Sequence, residues 1–243
     1  MSIQLEGIVL KSFDYQDHHK IVKLISPSHG LISVFVSYAN QKKSKHRSLV
    51  EPCTCVTLHV KAPSHEHGGL YYLVQGDAID SFYELKVDYE KVMMFYEMVE
   101  IMIKGDVDEI HLPYAYRLLK EILTCHATDL LTFRFLIVIF KAKMLVAVGL
   151  QPAIDGCISC KQRHDIVTAS VSEGGLVCKV CYTGSGIWLT ADLIPLWRGL
   201  FKGPIKRLAM LDVTTSQVEL LETWMKSYYE GYSHIRFAKR LVI

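Results

Sequence analysis

Four cysteines constrain this chain more than anything else in it: Cys157-x2-Cys160, then seventeen residues, then Cys178-x2-Cys181. Two residues between a pair of cysteines let both sulfurs turn onto one point across a tight knuckle. Two such knuckles complete a tetrahedral four-thiolate shell, so the spacing points to one structural zinc ion per chain. Gly156 before the first pair and Gly174-Gly175 before the second suit the tight turns this requires. A full sulfur shell leaves no open position for a substrate water, which argues against a hydrolytic zinc. The deaminase pattern H-x-E with P-C-x-x-C is absent. His164 could replace one sulfur, but four cysteines already suffice. Cys53, Cys55 and Cys125 read as small core residues, the first two alternating on a strand.

The rest of the chain divides by period. Apolar, β-rich runs fall at residues 7–10, 21–25, 31–36, 53–60 and 70–74, separated by turn-like stretches. Five short strands without helices between them suggest a five-stranded OB-fold barrel over residues 1–80, with a β-sandwich fragment as the alternative. From residue 84 the period becomes helical: Val92, Phe95, Tyr96 and Val99 onward, then Ala115 to Ile122, then Leu130 to Val148 with Gly149 as C-terminal cap. Residues 187–201 and 217–228 also read as helices, with Thr190 and either Thr215 or Ser216 as N-caps. The expected architecture is therefore α+β and multidomain. The barrel occupies 1–80, and a helical domain, 81–243, carries the zinc module at about 155–183.

Leu130–Leu150 is apolar enough to need a membrane test. Arg134, Lys141 and Lys143 interrupt it, so it reads as a buried helix. The opening residues lack the pattern of a secretory leader. Seven cysteines are then expected as thiols or metal ligands in a cytoplasmic protein.

Net charge is only +2, and its distribution is more informative than its size. Residues 40–48 carry Lys42, Lys43, Lys45 and Arg47 and no acid. A barrel loop this basic is a site for phosphate contact or simply a solvated turn. Phe35 and Tyr38 precede it, and Tyr71 and Tyr72 follow on the fifth strand, where only one of two neighbours can face outward. Barrels of this type bind single strands through a basic groove and stacking rings. His65-Glu66-His67 reads as a solvated turn. Arg236, Lys239 and Arg240 form a second basic group near the end.

The order of these features resembles the bacterial RecO recombination-mediator family. The match begins at Gly7-Ile8-Val9-Leu10-Lys11 and runs through Tyr15 and Asp17 to Lys20-Ile21-Val22. It continues at His29-Gly30, at the basic loop with Leu49-Val50-Glu51-Pro52, at Lys143-Met144-Leu145 through Gly149-Leu150-Gln151-Pro152, and at Ser172–Cys178 ahead of Cys181. Two departures stand out: Gln16 where a glycine often follows the tyrosine, and residues 40–45 without the usual Gly, Arg and Pro. The resemblance implies a non-enzymatic DNA repair and recombination mediator in the cytoplasm, associated with the nucleoid. It would bind single- and double-stranded DNA, anneal complementary strands and help load the recombinase RecA onto strands covered by single-strand-binding protein. Implied partners are RecR, single-strand-binding protein and, indirectly, RecA. Candidate DNA contacts are Lys42, Lys43, Lys45 and Arg47, with Lys11 and Lys20 as lesser ones. The competing reading is a zinc-stapled adaptor that captures an acidic peptide tail at Arg236, Lys239 and Arg240, with DNA contact incidental.

Overall fold

A computed structural model describes residues 2–41, 43–63, 69–105, 107–125, 129–233 and 235. The first strand is long: β1 spans Ser2–Tyr15, followed by β2 (His19–Ser26) and β3 (Gly30–Val36). After a 3-10 turn at Ser48–Val50 come β4 (Cys55–Lys61) and β5 (Tyr71–Asp80). They close into a barrel in the order β1-β2-β3-β5-β4, antiparallel except where β3 meets β5. This is the expected five-stranded OB-like barrel. Alternation drives it: Leu5, Val9, Val22, Leu24, Val34, Val56, Leu58 and Val60 fill the interior, and the residues between them face outward.

Local backbone chemistry explains one departure from the family pattern. The β1–β2 hairpin pairs Tyr15 with His19, and Gln16 in its turn has φ +52°. That left-handed conformation is easiest for glycine, which accounts for the family's preference there. Cys53 also has positive φ, +56°, and lies before β4 rather than on it, so it does not alternate with Cys55 on one strand. Its amide donates to the Val9 carbonyl at 2.8 Å, across an irregularity in β1. Both thiols are buried, as expected of core cysteines.

The chain forms two compact units, Met1–Val99 with Asp108–Leu123, and Glu100–Val107 with Thr124–Ile243. Helices α1 (Tyr83–Lys86) and α2 (Tyr89–Lys104) follow the barrel, then α3 (Leu112–Thr124). Within the first unit, α3 is anchored to the barrel by a polar cluster. Tyr116 and Lys120 both donate to Glu6 Oε1 at 2.5 Å.

The second unit is built on α4 (Leu130–Ala147), whose residues 135–145 are all buried. A helix apolar on every side belongs inside a core. Among the described residues no helix is long and apolar enough to cross a membrane. Asp129 caps α4 by accepting from the Thr132 amide at 2.8 Å, and Gly149 (φ +74°) follows its end. Buried Lys143 donates to the Phe201 carbonyl at 3.0 Å, in the last turn of α5 (Leu193–Lys202). Short α6 (Ile205–Leu208) leads to α7 (Thr215–Tyr232).

Two helix starts after the metal module differ from the sequence reading. Residues 187–201 are not one helix, because Ile187–Trp188 is a strand, β8, and α5 begins only at Leu193. Pro195 dictates this. In a helix starting at 187 it would sit in the interior, whereas here it lies in the first turn, where no amide is needed. Thr190 is accordingly not the N-cap. The cap of α7 is Thr214 rather than Thr215 or Ser216, in a reciprocal capping box with Gln217.

Candidate metal centre and nucleic-acid face

The four cysteines meet. A three-stranded sheet in the order β7-β6-β8 carries the module, with β6 at Ile166–Ser170 and β7 at Gly175–Cys178. β7 delivers Cys178 opposite Ile166 of β6, and a backbone bond from Cys181 to the Cys178 carbonyl (3.2 Å) closes the second knuckle. The first knuckle is closed by Cys157 N–H to the Gln162 carbonyl (2.7 Å) and Lys161 N–H to the Cys157 carbonyl (2.9 Å). Gly156 is required there: a Cβ would lie 2.7 Å from the carbonyl oxygens of both Lys161 and Gln162.

The Sγ atoms of Cys157, Cys160, Cys178 and Cys181 all lie within 4.8 Å of one another, a cluster that could hold a metal ion. Four sulfurs set tetrahedrally at ~2.3 Å from zinc would be about 3.8 Å apart. The Cys160–Cys178 separation is 3.7 Å, close to that spacing. Burial pushes Cys157 up, but hydrogen bonds from the backbone of Cys160, Cys178 and Ser159 outweigh it and bring the thiol to about 6. Hydrogen bonds with Cys160 and Cys178 push Cys181 up to about 12. Cys157 forms a thiolate readily and Cys181 resists, which is how crowded thiols behave until a cation neutralises them. His164 stands apart, its Nδ1 2.8 Å from Asp165.

The barrel carries a second arrangement. Strand register aligns Phe13 with Ile21, Ile21 with Phe35, and Phe35 with Tyr72 across β1, β2, β3 and β5. Lys11 pairs with Lys23 two residues along β1, and Tyr15 with His19 two residues the other way. All of these lie on the outer face, because period-2 alternation puts Val22 and Val34 inside. The rings form a connected cluster. Phe35 is 5.9 Å from Tyr15, 5.1 Å from His19 and 5.1 Å from Tyr72, and His19 is 5.0 Å from Tyr38. Tyr38 is 55% exposed and Tyr15 43%, so the cluster opens to solvent. His19 Nδ1 accepts from the Tyr38 amide at 3.1 Å, fixing the ring at the edge of the cluster.

Phe35, Tyr38 and Tyr72 were legible as candidates from sequence, and Tyr71, as its neighbour, turns inward to pack on the barrel core. Tyr15 and His19 were missed as ring partners. Their signal was the Lys11-x-Phe13-x-Tyr15 alternation, a strand with rings and a cation on one side. Lys43, Lys45 and Arg47 are exposed, and among the described residues none is in an ion pair. Lys20 is paired with Asp14 at 2.7 Å, and Asn40 also donates to that carboxylate, tying the start of the basic loop to β1. Lys42, Arg236, Lys239, Arg240 and the His65–His67 triplet lie outside the described residues.

Comparison with known proteins covers nearly the whole chain. Residues 1–82 match the family described as Recombination protein O N terminal, and residues 87–241 match Recombination protein O C terminal. DNA repair protein RecO of Bacillus pumilus is 27% identical over 235 residues, 96% of this chain and 90% of its own. The protein of the same name from Halalkalibacterium halodurans is 28% identical over 243 residues, 97% of this chain and 91% of its own. That of Bacillus mycoides is 29% identical over 241 residues, 98% of this chain and 94% of its own.

Proposed function

The chain belongs to the RecO family, which gives it a role in DNA repair and recombination, and we propose that it acts as a strand-annealing mediator without covalent chemistry. On this reading it binds single- and double-stranded DNA and pairs complementary strands. It also helps load a recombinase onto strands covered by single-strand-binding protein, with RecR as a partner. The observation that carries the reading is the outer face of the barrel. There Phe35 joins Tyr15, His19 and Tyr72 in one ring cluster, with Lys11 and Lys23 on the same face.

The chemistry is electrostatic and stacking. Two complementary strands repel through their phosphates. Lys42, Lys43, Lys45 and Arg47 would neutralise phosphates on one strand, with Lys11 beside the rings and Lys20 held back by Asp14. Unpaired bases stack on the rings, a contact worth about 1–3 kcal/mol per base and tolerant of sequence. A strand so held keeps its pairing edges free while its charge is screened, which lowers the barrier to encounter with its complement.

We assign zinc to the cysteine cluster, on the match between the four-thiolate donor set and its sulfur spacing. Bound there, the ion would cross-link the two knuckles; no group beyond the four sulfurs is needed, so its role is to staple. Binding of a labelled oligothymidylate at two salt concentrations tests the DNA reading. Affinity should fall steeply with salt through counterion release. Salt-independent binding, or none, would refute it.

A further inference from the structure

Of the three tryptophans, Trp197 and Trp224 are 0% and 1% exposed, whereas Trp188 is 57% exposed. Trp188 is not on a loose loop. It ends the two-residue strand β8, paired with Thr168 of β6, and Thr168 Oγ1 donates to the Ile187 carbonyl at 2.7 Å. Its indole lies 4.9 Å from the ring of Tyr182, at 52°. Tyr182 directly follows Cys181, so one ring is fixed by the sheet and the other by the metal knuckle. The two rings are tilted rather than stacked on each other, Trp188 exposed and Tyr182 half-buried.

The surroundings suit a phosphate chain. Lys179 and Val180, between Cys178 and Cys181, are exposed, Val180 at 85%. Lys161 and Arg163, also exposed, follow Cys160, whose sulfur is 3.7 Å from that of Cys178. The module's three acids are engaged: Asp155 with Lys202, Asp165 with His164 at 2.8 Å, and Glu173 with the Thr183 hydroxyl at 3.1 Å. Duplex DNA hides its base faces inside the stack, so rings of this kind can be met only by unpaired bases.

We propose that Trp188 and Tyr182 form a second stacking site for single-stranded DNA, on the face of the metal module. This rests on the annealing reading and extends it: annealing requires two strands, and the barrel face accounts for one.

Trp188 is the one exposed indole, so its emission reports the site directly. Oligothymidylate carrying a terminal dye is titrated into the metal-loaded full chain, with dye anisotropy reporting total binding and indole emission reporting Trp188. Binding should be accompanied by quenching, and Trp188→Phe should abolish the quench because the remaining indoles are buried. Trp188→Ala, with its metal content unchanged, should weaken binding roughly tenfold. An abasic phosphodiester of the same length should not quench. Binding by anisotropy without any change in indole emission overturns this site and leaves the barrel reading standing. Equal quenching by the abasic chain overturns stacking here in the same way. No binding by anisotropy refutes the barrel reading, and this site with it.

Discussion

Arg134 of α4 grips Glu222 of α7 through two hydrogen bonds, Nε to Oε1 at 3.2 Å and Nη2 to Oε2 at 2.6 Å. The side chains are only 19% and 17% exposed, so the fork closes in a poorly solvated place and ties the two longest helices of the second unit together. Glu222→Ala leaves a guanidinium with its main partner gone and should cost about 2–4 kcal/mol. Replacing both residues by apolar ones should cost less than that single change. Urea unfolding followed by Trp197 and Trp224 emission, both in this unit, measures the difference.

Lys143 makes a comparable point with a single bond. Its ammonium is buried, burial lowers its pKa, and it donates to the Phe201 carbonyl at the end of α5. Lys143→Met removes both the desolvation cost and the cap. Because the carbonyl would then lose this buried donor, a net loss of about 1–3 kcal/mol is expected, read from the same unfolding transition.

Acid should loosen the first unit through Glu6. Hydrogen bonds from Lys120 and Tyr116 hold its carboxyl below the usual carboxylate range, against the opposing effect of burial. A group lowered in the folded state stabilises the fold at pH above its unfolded pKa. That contribution is lost as pH falls through the folded value. Glu6→Gln should therefore flatten the acid limb of the stability profile below the usual carboxylate range and leave its neutral limb parallel to wild type. Circular dichroism during acid titration of the two proteins tests this. Identical acid limbs would place the sensitivity elsewhere.

Metal removal should act on the second unit. A strong chelator, or Cys178→Ser, is expected to release one zinc per chain and lower the unfolding midpoint reported by the buried tryptophans. X-ray absorption should show four sulfur neighbours and no nitrogen or oxygen in the shell. A mixed shell would contradict the assignment.

Charge removal in the basic loop should be visible in the salt response. Each cation lost from the contact reduces the slope of log affinity against log salt by about 0.7 for single strands. Changing Lys42, Lys43, Lys45 and Arg47 to Ala should thus lower it by up to about three. An unchanged slope would return the loop to a solvated turn.

What the sequence disclosed follows from how local each signal is. Cys157 to Cys181 could be read directly, because a knuckle is set by a few consecutive bonds and both halves share one short module. The barrel was readable because Val22, Leu24, Val34 and Leu58 alternate. Its outer face was only half visible. Phe35 and Tyr72 are neighbours through the parallel pairing of β3 with β5, a register that no local pattern encodes. Trp188 was hidden for a related reason. Periodicity ran 187–201 together as one helix, and only the sheet pairing with Thr168 places that indole on the surface.

The most direct measurement is the rate of annealing of two complementary oligonucleotides, with wild type compared against the double variant Phe35→Leu, Tyr72→Leu. Leucine keeps the apolar mass but has no ring face for a base to stack on. A fall of roughly tenfold or more in rate, with metal content and circular dichroism unchanged, is the expected result. An unchanged rate in a correctly folded variant would contradict the assignment of the strand to the barrel face.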